Sequence, residues 1–209
     1  MRCIPRPALF LGLLVFATAC DGAPTSSAEV RPSGATPRFY TNATTICTNQ
    51  SVPSGYVILS AFGSASCPYY SPSGMNAYNI AIPGPQESVC ANSPIPAGYI
   101  ISGTNTGSSC PYWSAGSTNM YNIKVPASQD QACSNSPIPS GYVIVGGQRS
   151  VACPGYSATG TNSWSIKIPG LYETVCGNSP IPSNYIVTSY TSSGACPGYP
   201  NNAKNIQRL

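Results

Sequence analysis

Histidine is absent from the 209 residues, and Asp, Glu, Lys and Arg together make up only 7% of them. Without His, the commonest general base and metal ligand is missing, so Ser-His and Cys-His nucleophiles are excluded. The net charge of +4 is small and its cations are scattered, which argues against a nucleic-acid partner. There is no Gly-rich phosphate loop between a strand and a helix, and no cofactor is expected. Helical periodicity is missing over the length that a stable helix needs. Long apolar runs are missing too. The most apolar stretch, Ala8 to Ala19, is 12 residues long, well short of the ~20 that span a membrane.

What the chain has is turn formers, tyrosine and cysteine, with 20 Gly, 22 Pro, 14 Tyr and 10 Cys. This composition points to a loop-rich all-β protein. It is also repetitive. CTNQSVPSGY at Cys47 returns as CANSPIPAGY at Cys90, CSNSPIPSGY at Cys133 and CGNSPIPSNY at Cys176, a step of 43 residues each time. A second cysteine, always followed by Pro, stands 20 residues after each first one, at Cys67, Cys110, Cys153 and Cys196. YNIAIP at Tyr78 returns at Tyr121 and Trp164, and the last copy fits as KNIQRL from Lys204 if three loop residues are deleted. A fixed period of this kind marks a repeat architecture. The units run over 39–83, 84–126, 127–169 and 170–209, with no separate C-terminal domain expected.

Each unit offers two strands and a third short one. The first follows the proline turn as a continuous apolar run (Tyr56 to Leu59, Tyr99 to Ile101, Tyr142 to Val145, Tyr185 to Val187), which predicts cover on both faces. The second alternates, placing Tyr78, Ile80 and Ile82 on an inward face and Lys124 and Lys167 outward. The segment before each first cysteine supplies the third. In the turn, Gly98 and its equivalents give way to Asn184 in the last copy, an exchange that predicts positive φ at that position.

Two symmetric pairings satisfy eight cysteines. Bonds within a unit join Cys47 to Cys67, Cys90 to Cys110, Cys133 to Cys153 and Cys176 to Cys196; bonds between units would instead leave Cys47 and Cys196 to close a ring. The first leaves nothing over in an open stack and is favoured, and small modules need such staples. Spacings of 20 and 23 without His do not suit zinc. Lys204 and Arg208 make the final copy more polar, as an open array requires. The fold expected is therefore four tandem disulfide-stapled β-modules in an open stack, with a closed four-fold ring as the alternative.

At the N-terminus, Arg2 and Arg6 precede the short apolar run, and small residues end it, which is the pattern of a secretory signal peptide over 1–19. Ala17-Thr18-Ala19-Cys20 resembles the lipobox of bacterial lipoproteins. The resemblance implies a lipidated Cys20 as the new N-terminus and a membrane partner reached through that lipid. Cysteine parity agrees: once Cys3 leaves with the leader and Cys20 is acylated, eight remain. Ala-Thr-Ala also suits an ordinary signal peptidase, which would give a secreted soluble protein with an odd thiol. Residues 20–38 are Ser, Pro, Ala and Gly with few bulky apolar groups, a tether expected to be disordered.

The residues left for chemistry are few. Glu87, Asp130 and Glu173 recur at one position of the last three units as edge charges, with Thr44 in that place in the first, where a glycosidase would need two carboxylates converging and calcium more oxygens. No catalytic or metal residue is assigned, and an enzyme is not expected. Aromatics are the better clue. Three residues after each second cysteine stand Tyr70, Trp113, Tyr156 and Tyr199, with Tyr69 and Tyr112 beside the first two. Loop aromatics of this kind stack on sugars or grip proteins, or else they cap a small core. The reading is a non-catalytic lipoprotein of the bacterial cell envelope that binds a surface glycan or protein through these loops. A structural spacer is the alternative, and a secreted hydrolase a remote one.

Overall fold

A computed structural model describes residues 43–114, 117–198 and 200–209. The leader, Cys20, the tether over 20–38 and Tyr199 lie outside the described residues. The described chain is all β. Module 1 holds β1 (Thr44–Cys47), β2 (Val57–Phe62) and β3 (Ala77–Ala81); module 2 holds β4 (Gln86–Cys90), β5 (Ile100–Asn105) and β6 (Met120–Lys124). Module 3 holds β7 (Gln129–Cys133), β8 (Val143–Gln148) and β9 (Ser163–Lys167); module 4 holds β10 (Tyr172–Cys176), β11 (Tyr185–Thr191) and β12 (Ala203–Arg208). Each module is one three-stranded antiparallel sheet with its last strand in the middle, in the order β1-β3-β2 and its three equivalents. The short segment before each first cysteine is thus the third strand, and KNIQRL is the central strand of module 4.

All four disulfides close within their modules, each across 20 residues. They tie the end of the first strand to the loop between the second and the third. The modules then join in sequence, β2 packing on β4, β5 on β7 and β8 on β10, and among the described residues no comparable contact joins module 4 to β1. The array is an open stack of stapled sheets.

Each joint is built from the apolar pair that opens the second strand. Val57 and Ile58 are 0% and 2% exposed, Ile100 and Ile101 0% and 2%, Val143 and Ile144 0% and 3%. Ile58 and Tyr78 cluster with Cys90 and Cys110, so the disulfide of each module sits on the sheet of the one before. Val57 meanwhile clusters with Val89 and Ile123. Each side chain so buried is worth about 2 kcal/mol. A β-bulge at Leu59, Ser102, Val145 and Thr188 follows the pair in every copy. Next to it, the Ile58, Ile101 and Ile144 N–H groups donate to the Oγ atoms of Ser93, Ser136 and Ser179 in the following module. Three residues on, the N–H groups of Ala61, Thr104 and Gly147 donate to the carbonyls of Ser109, Ala152 and Ala195 across the same joints.

The run Tyr185 to Val187 is not covered on both faces: Ile186 and Val187 are 46% and 38% exposed, because no described module packs on β11 as β4, β7 and β10 pack on its equivalents. Three further expectations need correction. Ile82 does not face inward, nor do its equivalents Val125 and Ile168: they are 48%, 52% and 52% exposed, because the central strands end one residue earlier, while Ile80, Ile123, Ile166 and Ile206 within the strands are buried. Positive φ is found at Gly55, Gly98 and Gly141 but not at Asn184, whose carbonyl instead accepts the Leu209 N–H.

The third concerns charge. Lys124 pairs with Asp130 and Lys167 with Glu173, each at 2.7 Å, so these residues clasp one module to the next and are not free edge charges. Burial pushes the Asp130 carboxyl up, but the Lys124 ammonium and the N–H groups of Gln131 and Ala127 outweigh it and hold the pKa below the usual aspartate value. A carboxyl held low in the folded state contributes stability above its unfolded pKa and loses it as pH falls through the folded one. Urea unfolding at pH 7 and pH 3 should therefore show a smaller acid loss for Asp130→Asn than for the natural chain.

Candidate functional site

The candidate site is the loop between the second and third strands of each module, which carries the second cysteine. It begins with a tight turn, in which the N–H of Cys67, Cys110, Cys153 or Cys196 donates to the carbonyl three residues back. A buried asparagine just before the central strand then holds both ends. Asn76, Asn119, Asn162 and Asn202 are 4–8% exposed. The Asn119 amide donates to the carbonyls of Gly107, Cys110 and Pro111, and its Oδ1 accepts the Gly107 N–H. Asn76 and Asn162 make the equivalent four bonds. The sequence reading missed this residue, although its signal was present: an Asn stands two places before Tyr78, Tyr121, Trp164 and Lys204 alike.

After the Cys-Pro pair, the backbone turns through the left-handed region. In modules 3 and 4 glycine takes that position, at Gly155 (φ 68°) and Gly198 (φ 80°). In modules 1 and 2 it is a tyrosine, Tyr69 at φ 58° and Tyr112 at φ 60°. These rings do not pack: they are 92% and 89% exposed. The next residue is half-buried in each described case, with Tyr70 at 51%, Trp113 at 53% and Tyr156 at 53% exposed. The Tyr70 ring edge lies over Gly63, where a Cβ would stand 3.6 Å from it and only 2.9 Å from the Gly74 carbonyl. A glycine is required there by close approach.

Tyr70, Trp113 and Tyr156 thus stand at the loop surface and outside the core clusters; Tyr199 lies outside the described residues. The tyrosines that do pack in joints, Tyr56, Tyr78, Tyr99, Tyr121, Tyr142 and Tyr185, belong to the turns, the central strands and, for Tyr185, the start of β11. Tyr99, Tyr142 and Tyr185 also donate their hydroxyls to the intermodule carbonyls of Pro83, Pro126 and Pro169.

Neither loop of modules 1 and 2 carries a charge. Residues 63–76 and 107–119 contain no Asp, Glu, Lys or Arg. Their polar groups are hydroxyls and amides, with Ser114 and Ser117 hydrogen-bonded together at 2.8 Å beside Trp113. A surface of flat rings flanked by neutral polar groups can stack and hydrogen-bond but cannot neutralise a charged ligand.

Among the described residues, open grooves lie elsewhere, over the sheets. One of about 510 Å³ is lined by Tyr172, Thr174, Thr188 and Asn205. Another of about 350 Å³ is lined by Gln129, Asp130, Val145 and Lys167, and its charged members are already engaged in the intermodule ion pairs. Neither contains the loop aromatics. Comparison with known proteins finds no family model that matches the chain and no curated protein or solved structure similar to it.

Proposed function

We propose that the chain is a non-catalytic, lipid-tethered binding protein of the bacterial cell envelope, which engages a surface glycan or protein through the aromatics of its Cys-Pro loops. The observation that carries the reading is the pair Tyr69 and Tyr112. A left-handed non-glycine residue costs about 1–2 kcal/mol, and rings 92% and 89% exposed recover almost none of that by burial. Gly155 and Gly198 take the same turn without the penalty. Strain retained where packing does not reward it is a mark of a functional position.

The tether rests on Ala17 to Cys20 and on parity. Eight of the ten cysteines pair within modules, leaving only Cys3 and Cys20. Four disulfides are themselves typical of an oxidising compartment outside the cytoplasm.

The double variant Tyr69→Gly, Tyr112→Gly tests the reading, because it installs what modules 3 and 4 already tolerate. Thermal stability should stay level or rise. Co-sedimentation with isolated bacterial envelopes should weaken about thirtyfold, given roughly 1 kcal/mol for each of the two aromatic contacts. A variant that sediments as the natural chain does would favour the spacer reading instead.

A further inference from the structure

The second strand of module 4 departs from its three equivalents in one respect: its face is bare. Val57, Ile100 and Val143 are each fully buried, whereas Ile186 in the same place is 46% exposed. Ile58, Ile101 and Ile144 are at most 3% exposed, whereas Val187 is 38% exposed. In the first three modules the cover is the next module, which also receives the N–H of Ala61, Thr104 and Gly147. The equivalent donor in module 4 is the N–H of Tyr190, whose ring is 78% exposed. At the other end, module 1 shows the matching front face. Ile46 and Cys47 are partly exposed, where Val89 and Cys90, Ala132 and Cys133, and Val175 and Cys176 are at most 1% exposed. The acceptor equivalent to the Ser109, Ala152 and Ala195 carbonyls is that of Ser66.

We propose that the outer face of module 4 seats module 1 of a second copy of this chain, head to tail, as a fourth joint of the kind already made three times within it. Ile186 and Val187 would close over the Cys47–Cys67 disulfide and Ile46, and the Tyr190 N–H would donate to the Ser66 carbonyl.

The charges at the two ends agree with this partner. Within the chain, Lys124 and Lys167 meet Asp130 and Glu173 at two of the joints. The position equivalent to those lysines in module 4 is Gln207, and the position equivalent to the acids in module 1 is Thr44. Both sides have lost that pair together, so neither member of it is left alone at the joint. Module 1 has no Asp, Glu, Lys or Arg anywhere in 39–83, and nothing on it repels Lys204 or Arg208. A symmetric pairing of two module 4 faces would instead bring each of these cations against its own copy.

Two substitutions make this joint weaker than the internal ones. Gln50 stands in place of the clasping Ser93, Ser136 and Ser179, and its Oε1 accepts the N–H of its own Cys47. Lys204 stands where Tyr78, Tyr121 and Trp164 pack at the internal joints, and its ammonium donates to the Ser179 carbonyl of its own module. The association is therefore concentration-dependent and reversible, and because a head-to-tail contact is heterologous it does not stop at a dimer.

Sedimentation velocity on the full chain carrying Cys20→Ser, so that no acyl group contributes, reads this directly. The weight-average mass should rise severalfold with concentration. Ile186→Asp with Val187→Asp should block one end, and Thr44→Lys with Ile46→Asp the other; each alone should be monomeric. Mixed in equal amounts, the two variants should form a dimer and nothing larger, since only one compatible pair of faces remains. The inference is overturned by a natural chain that stays monomeric at every concentration. It is equally overturned by a front-face variant that still dimerises, which would mean that two module 4 faces pair. The outcome does not depend on what the loops bind.

Discussion

Replacing Cys133 and Cys153 together by alanine should lower the free energy of unfolding by about 3 kcal/mol for the lost 20-residue loop closure. A further ~1–2 kcal/mol follows for the vacated space. The second contribution arises because this disulfide is also core. Cys133 is 0% and Cys153 5% exposed, and both cluster with Ile101 and Ile123 of module 2. Removing the bond therefore loosens module 3 and unseats the face on which module 2 packs. In a linear array stability is a sum of module and nearest-neighbour contributions, so the break should divide the stack. The chain's two tryptophans resolve this, since Trp113 lies in module 2 and Trp164 in module 3. Their urea midpoints, read in single-tryptophan versions, should coincide in the natural chain and separate in the variant. The same exchange at Cys47 and Cys67 should leave Trp164 unaffected. Coincident, unshifted midpoints in the Cys133 and Cys153 variant would show that the staple contributes little.

The period of 43 residues and the recurrence of Cys-Pro made the module, its three strands and its disulfide pairing readable, because each depends on local sequence alone. The continuous run Val57-Ile58 also read correctly as covered on both faces. Its fourth copy, Ile186-Val187, reads the same way and is bare, because the cover is another module and not anything within the run. Ile82 failed for a related reason: alternation marks a face but does not mark where the strand leaves its neighbours.

The aromatic positions were legible as loop residues, but which of them mattered was not. Tyr69 and Tyr112 looked like additions beside Tyr70 and Trp113, and the backbone geometry shows that they take the left-handed turn of a glycine position. The alternation of Tyr with Gly at that repeat position was the available signal. Lys124 and Lys167 looked like solubility charges, since nothing in a single unit shows that the next unit brings an acid to meet each of them.

Asn162→Ala should cost about 3 kcal/mol or more, comparable to the disulfide although no covalent bond is lost. The residue is 4% exposed, and its amide serves Ser150, Cys153 and Pro154 with four hydrogen bonds of 2.8–3.3 Å. Truncation leaves these backbone groups buried without partners, and each such loss costs about 1–3 kcal/mol before any relaxation. Asn162→Asp sharpens the test. Aspartate keeps the acceptor for the Ser150 N–H but presents a carboxylate to three carbonyl oxygens, so its folded pKa must rise. A group whose folded pKa is raised contributes stability below its unfolded pKa and loses it as pH increases. The aspartate variant should therefore be the less stable of the two at pH 7 and should recover on acidification, while the alanine variant should not. Equilibrium unfolding of both at pH 7 and pH 4 decides the matter, and equal pH responses would mean that the amide is not seated as described. The equivalent exchange at Asn119 tests the anchor together with the proposed function. If the loops bind as proposed, Asn119→Ala should lose stability and envelope binding together, because the loop that carries Tyr112 and Trp113 is no longer held at both ends, whereas Tyr112→Gly should lose binding alone.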